Sequence, residues 1–425
     1  DYRFSERENR LNTIPTFRCN TFPVKNLDAN KSTMNPEKIR DDFPIFKERE
    51  NLAYLDNAAT TQKPEEVIEA VENFYRKNNS NVGRGLYQLA ADATQAYENS
   101  RKKIAEFIGA EKDEVIFVRN TTEVENLIAE SLDFEGDIVL SQMAHHSEQL
   151  PWRRKADEED KKIEYLETED GKISVESAKE KISEDTGLVA ISHISNVFGA
   201  ENPIKKISEI AHEHGALVVL DAAQSAPHMP LDVKELGVDF LAFSGHKMLG
   251  PTGIGVLYGR KNLLEDMDPY QVGGGMINKV EKNSVKYGNV PEKFEAGTPN
   301  VAGAVGLAAA VEYLEEIGME KIHEHDKELC RKMIDGLEKI EGIKVISPRD
   351  ANLVSFTSEY AHPHDVAEVL SRHGVATRAG HHCAQPQMQE LGLTGTTRAS
   401  SYIYNTEEDV EKFLNAVEKV EKIFN

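Results

Sequence analysis

Three cysteines, Cys19, Cys330 and Cys383, are all that the 425 residues contain, and no two of them form a C-x-x-C pair. Such scarcity excludes a disulfide scaffold and a cysteine-built zinc site. Any working cysteine must act alone, as a thiol, which suits a reducing compartment and leads us to expect a cytoplasmic protein. Long apolar runs are lacking too. The longest, Val301 to Val311, has 11 residues, about half of the roughly 20 that a bilayer requires, so no membrane partner is expected. Basic charge is short, with 50 Lys and Arg against 73 Asp and Glu and a formal net charge of −23. A surface of that sign repels phosphates and excludes a nucleic-acid partner. Nucleotide-binding loops are missing as well: Gly250-x-x-x-x-Gly255 runs into Val256 rather than Lys and Ser/Thr, and Gly253-x-Gly255 has no third glycine in register.

What remains is a folded globular chain, 39% hydrophobic and 29% charged, long enough for two or three domains. Residues 1–33 stand apart, with six Lys/Arg, four Asp/Glu and no hydrophobic period, and Met34 reads like a fresh N-terminus. They are expected to be a leader or extension outside the fold. From residue 57 to 260, short apolar runs alternate with helical patterns. Glu114–Val118, Ile138–Ser141, Leu188–Ser192, Leu217–Leu220 and Phe240–Phe243 read as buried strands, and Glu123–Ser131 and Ile204–His214 as helices. That alternation predicts a mostly parallel sheet covered on both faces, with ligands beyond the carboxyl ends of its strands. After residue 300 the pattern becomes α+β: a helical stretch broken near Gly318, two short strands, a helix at His364–His373, a strand at Val375–Arg378 and a last helix capped by Thr406 and Asp409. The expected division is 34–56 packing with a small domain, 57–300 as the large domain and 301–425 as the small one.

Four features fall at strand ends. Thr121-Thr122-Glu123 opens a helix, with Thr122 and Glu125 read as a capping box, and its free amides would seat a phosphate or merely cap the helix. Asp221 follows Leu217–Leu220 and would either pair with a protonated nitrogen heterocycle or cap the next helix. Lys247 lies four residues beyond Phe243, in Ser244-Gly245-His246-Lys247, where a desolvated amine forms Schiff bases and an exposed one is only a surface charge. Cys383, in Arg378-Ala-Gly-His381-His382-Cys383, has cationic surroundings that favour a thiolate, although an inert thiol or a metal site with the two histidines would read the same way.

These residues, with Ser141-Gln-Met-Ala-His145-His146, His193-Ile-Ser-Asn196-Val-Phe-Gly199, Asp221-Ala-Ala-Gln224, Phe294-Glu-Ala-Gly-Thr298 and Arg398-Ala-Ser, resemble the group II, SufS-like cysteine desulfurases. That family belongs to the class V aminotransferase group, which also holds selenocysteine lyases. The resemblance runs in order from about residue 35 to 425. It implies an α/β protein of the PLP-dependent transferase fold type I, with a mostly parallel seven-stranded sheet and a smaller C-terminal α+β domain, acting as a homodimer. By the same resemblance, Lys247 would bind pyridoxal 5′-phosphate covalently and Asp221 would pair with its ring nitrogen. His145 would stack on the ring and Gln224 would bond its phenolic oxygen, with Asn196 nearby. Thr121, Thr122, Ser244 and His246 would hold the phosphate, joined by Thr298 of the partner subunit. Arg398 and Asn196 would hold the substrate carboxylate, and Arg378 would shape the Cys383 loop.

The implied activity converts L-cysteine to L-alanine and leaves the sulfur on Cys383 as a persulfide, for a SUF-type acceptor in iron–sulfur cluster assembly. No metal is expected. The alternatives are a selenocysteine lyase, in which the thiol matters less, and another PLP enzyme of this fold, which has no role for Cys383. Gly83 stands where the family usually carries His, Ala144 where Glu is usual, and Met276 where an acidic residue or Ser is common. Gly83 would bear on acceptor coupling or substrate handling and not on Lys247 or Asp221.

Overall fold

The computed structural model describes residues 34–83 and 85–425, so the expected leader, 1–33, lies outside the described residues. A seven-stranded sheet forms the larger framework. Its order is Val115–Val118, Gly255–Gly259, Phe240–Ser244, Leu217–Asp221, Thr186–Ser192, Asp137–Ser141 and Ile163–Leu166. All neighbours are parallel except the two pairings of Gly255–Gly259, which are antiparallel. The central strands are buried along their length, as Val218, Leu220 and Leu241 on one face and Val219, Phe240 and Ala242 on the other show. Burial on both faces is why these strands are apolar throughout instead of alternating. Truncating one such side chain to Ala leaves a void worth about 2–5 kcal/mol.

The second sheet is antiparallel and four-stranded, in the order Ile343–Val345, Val354–Ser358, Thr396–Ala399, Arg378–Gly380. Helices Met319–Leu337, Pro363–Arg372 and Glu407–Phe424 share its core, in which Phe356 packs edge-on to Phe413. Thr406 caps the last helix in a capping box with Asp409, as its sequence predicts. Ala53–Tyr54 pairs in parallel with Val375–Ala376 as a separate two-stranded sheet, and Arg40 bonds Asp409 of the last helix at 3.0 Å, so the segment before residue 57 is stitched to this part of the chain. Helix Val301–Ile317, by contrast, packs on helices Glu65–Asn73 and Gln88–Phe107.

Several short strands escape a reading by hydrophobic pattern. Ile163–Leu166 is a half-exposed edge, Thr396–Ala399 is built of Thr-Thr-Arg-Ala, and Gly255–Gly259 is bracketed by glycines that read as turn punctuation. Gly255 is there for contact: a Cβ would meet the Asn120 Cα at 2.8 Å and the Phe243 carbonyl at 2.9 Å. The strand expected at 375–378 is divided, since Val375–Ala376 pairs with Ala53–Tyr54 whereas Arg378–Gly380 pairs with Thr396–Arg398.

Candidate active site

Ser141, Ser192, Asp221 and Ser244 are the last residues of four adjacent strands, where apolar runs give way to polar side chains. A cavity of about 310 Å³ opens over this edge, and Lys247, His145, Gln224, Arg398 and Cys383 are in its wall. Twelve of the thirteen residues singled out by the sequence line it. The exception is Thr298, which is exposed in the loop before helix Val301–Ile317.

One end of the cavity is a nest of donors. Helix Thr121–Ser131 starts there, and its N-cap is Asn120, whose side chain accepts from the Glu123 amide at 3.0 Å. This corrects the Thr122–Glu125 capping box: Glu125 is buried and takes the Trp152 indole N–H instead, while Glu123 turns back to the Arg119 amide. Thr121 donates its amide to Ser244 Oγ and shares a hydroxyl–hydroxyl bond with it, both at 2.9 Å, and the Thr122 hydroxyl meets that of Ser147 at 2.7 Å. His246 stays neutral, because burial first and the Lys247 charge second pull it down to about 4. Hydroxyls gathered at a helix N-terminus suit a phosphate dianion.

Lys247 and Asp221 face the middle of the cavity. Burial pulls the Lys247 amine down to about 8, against the opposing pull of the Asp221 charge. Asp221 is raised by burial and steadied by Lys247 and by the Ala223 amide, which donates to it at 2.8 Å. The two act on each other through space without forming a direct ion pair among the described residues. His145 caps its own helix by accepting the Ser147 amide on Nδ1 at 3.0 Å, so its proton sits on Nε2. Burial, with Lys247 and His146 adding to it, drives it down to about 3. Gln224 gives one amide hydrogen to the Ala58 carbonyl at 2.8 Å and keeps a second to donate.

The thiol lines the same cavity. Cys383 is exposed, and it and His382 both have left-handed backbones, with φ of 56° and 53°. Their loop is tied down: Asn196 Nδ2 donates to the His382 carbonyl at 2.6 Å, and the His146 amide to the Cys383 carbonyl at 2.7 Å. Of the two flanking imidazoles, His381 accepts the Cys383 amide, whereas His382 is turned to Thr396. Arg398 is buried, donates to the Asn196 carbonyl at 2.9 Å, and leaves its Nε without a partner. Burial brings it down to about 10, which still leaves a cation at neutral pH. An orphaned guanidinium N–H in a cavity wall is a seat for a carboxylate. Asp56 is the residue the sequence did not reveal. It grips Arg378 at 3.1 Å and stands 3.6 Å from Arg398. No motif marks it; the pairing of Ala53–Tyr54 with Val375–Ala376 and its own bridge to Ser400 bring it there.

The donor nest, the lysine–aspartate pair and the orphaned guanidinium N–H fit pyridoxal phosphate and an amino-acid carboxylate beside it. Fold and site together define an α/β enzyme of the kind that holds a phosphorylated heterocycle at the strand ends.

Residues 53–413 match the aminotransferase class-V family. A "Probable cysteine desulfurase" of Halalkalibacterium halodurans is 50% identical over 402 residues, spanning 92% of this chain and 99% of that protein. Among solved structures, the apo cysteine desulfurase of Thermococcus onnurineus NA1 matches with a TM-score of 0.88 at 42% identity, over 92% of this chain and 99% of its own. The Escherichia coli cysteine desulfurase CsdA in its S-sulfonic acid form gives 0.87 at 37% identity, over 92% and 100%. The chain belongs to the aminotransferase class-V family.

Proposed function

We propose that this chain is a pyridoxal-phosphate-dependent L-cysteine desulfurase. One observation carries the reading: a single cavity has Lys247 and Asp221 in its wall and an exposed thiol, Cys383, within the same lining. Bound pyridoxal phosphate supplies a ring that withdraws electrons from the substrate's Cα. Lys247 holds it, with an amine near neutrality that bonds an aldehyde readily. Asp221 keeps a negative charge against the ring nitrogen, and Thr121, Thr122, Ser244 and His246 hold the phosphate. Arg398 takes the substrate carboxylate, which fixes the Cα hydrogen toward the Lys247 amine as base. Neutral His145 covers the ring with its Nε2 proton available. The Cys383 thiolate attacks the substrate sulfur: an S–S bond forms, the Cβ–S bond breaks, and Cβ takes up a proton. L-Cysteine and the Cys383 thiol thus become L-alanine and a Cys383 persulfide.

The exposure of Cys383 supports onward transfer to an acceptor protein of the SUF type, for iron–sulfur cluster assembly. Thr298, exposed and outside its own cavity, supports a homodimer in which it reaches the other subunit's phosphate. An exposed thiol that must stay reduced supports a cytoplasmic setting. The test is alanine and sulfide release from L-cysteine in the presence of a reductant. Equal amounts are expected, and Cys383→Ala should lower both by on the order of a hundredfold or more. Undiminished release by that variant would remove the thiol from the mechanism.

A further inference from the structure

Near Asp221 lie two glutamates for which the chemistry above has no use. Glu125 is one turn into helix Thr121–Ser131 and Glu148 is in the first turn of helix His146–Glu159, and both are completely buried. One oxygen of each is bonded: Trp152 Nε1 donates to Glu125 Oε2 at 3.0 Å, and the Ser192 hydroxyl donates to Glu148 Oε2. The other oxygen of each has no partner. The ionisable groups that act on the two carboxyls are Asp221 and, on Glu125, Glu148 as well, with no cation among them.

A buried carboxylate without a cation costs several kcal/mol. Two of them near a third negative charge cost more, because like charges at such a site cannot all ionise. Protonation turns each stranded oxygen into part of a neutral acid, whose burial costs far less. Asp221 alone has compensation, from the Ala223 amide and from Lys247. Burial first, and the neighbouring acids second, push both glutamates well above the ordinary carboxylate range.

We propose that Glu125 and Glu148 are positioning residues held as neutral carboxylic acids at neutral pH, so that Asp221 carries the one negative charge that faces the ring nitrogen. Ser192, which lines the cavity and donates to Glu148, is the link between this pair and the site. The consequence for the ring rests on the cofactor reading; the protonation of the pair does not.

The experiment compares wild-type holoenzyme with Glu125→Gln and Glu148→Gln by infrared spectroscopy at neutral pH, together with the pH titration of the visible cofactor band. Each variant should lose one C=O stretch of a buried neutral acid and leave the midpoint of the visible band unmoved, since one neutral group replaces another. If no such stretch is lost, and the midpoint falls by roughly a pH unit on removal of a charge, the proposal is overturned. A wild-type protein without a visible band would fail the cofactor reading, and the infrared comparison would still decide the protonation. Unfolding supplies a third readout. A carboxyl whose folded pKa lies above its unfolded one contributes stability that is fully present below the unfolded value and lost as pH rises through the folded value. Glutamine does not titrate, so Glu148→Gln should gain stability relative to wild type as pH rises above about 4.5. A parallel pair of profiles would refute the assignment.

Discussion

Asp56 takes two guanidiniums at once, meeting Arg378 through contacts of 3.1 and 3.2 Å and Arg398 at 3.6 Å. Asp56→Asn keeps the shape and removes the charge. The expected result is a KM for L-cysteine raised by about tenfold with a smaller fall in kcat, because the carboxylate seat loosens while Lys247 and Cys383 are untouched. Steady-state kinetics with L-cysteine will show the split. A second expectation belongs to Lys247. Its amine must be neutral to bond an aldehyde, and burial sets it at about 8. Uptake of pyridoxal phosphate by apoprotein should therefore accelerate as pH rises, with a midpoint near 8, and stopped-flow absorbance measures it. A rate flat between pH 7 and 9 would contradict this. Lys247 and Asp221 were legible in the sequence because each follows an apolar strand, and Cys383 because two imidazoles and an arginine precede it. Asp56 was not, since its partner Arg378 is 322 positions away and nothing local ties the two together.

Elements differ in how plainly the sequence announces them. The five buried strands of the large sheet are short apolar blocks, and their ends differ from expectation by two residues at most. The same rule hides Thr396–Ala399, whose polar residues are buried against partners: Arg398 in the cavity wall, Thr396 on His382 and Thr397 on the Pro363 carbonyl. It hides Gly255–Gly259 too, where glycine is dictated by the backbone of Asn120 lying against the strand. Gly255→Ala should push that turn away from Ser244, costing about 1–3 kcal/mol and weakening retention of the cofactor's phosphate. Thermal unfolding and cofactor titration check the two parts separately. Thr406→Ala should cost about 1 kcal/mol through the lost cap, visible in denaturant unfolding, with L-cysteine turnover unchanged.

For the molecule as a whole, the sequence foretold a parallel sheet with an α+β companion, but not how the two are joined. The joint includes side chains that reach a carbonyl of the other part, Asn196 to His382, Arg398 to Asn196 and Ser355 to Val197 at 2.6 Å, beside backbone bonds such as the His146 amide to the Cys383 carbonyl. Thr298→Val tests the assembly. As a homodimer residue it should weaken pyridoxal-phosphate binding by about tenfold although it is outside its own cavity, whereas a chain that sediments as a monomer and binds the cofactor unchanged would overturn that arrangement. The paired left-handed residues His382 and Cys383 carry one more consequence. Non-glycine residues there cost about 1–2 kcal/mol each, and the ties to Asn196, His146, His381 and Thr396 hold the pose. The thiol therefore sits over the cavity like a cocked latch. Once those ties part, the two residues are free to leave the left-handed region, so the strain held in two backbone angles lowers the cost of moving the thiol.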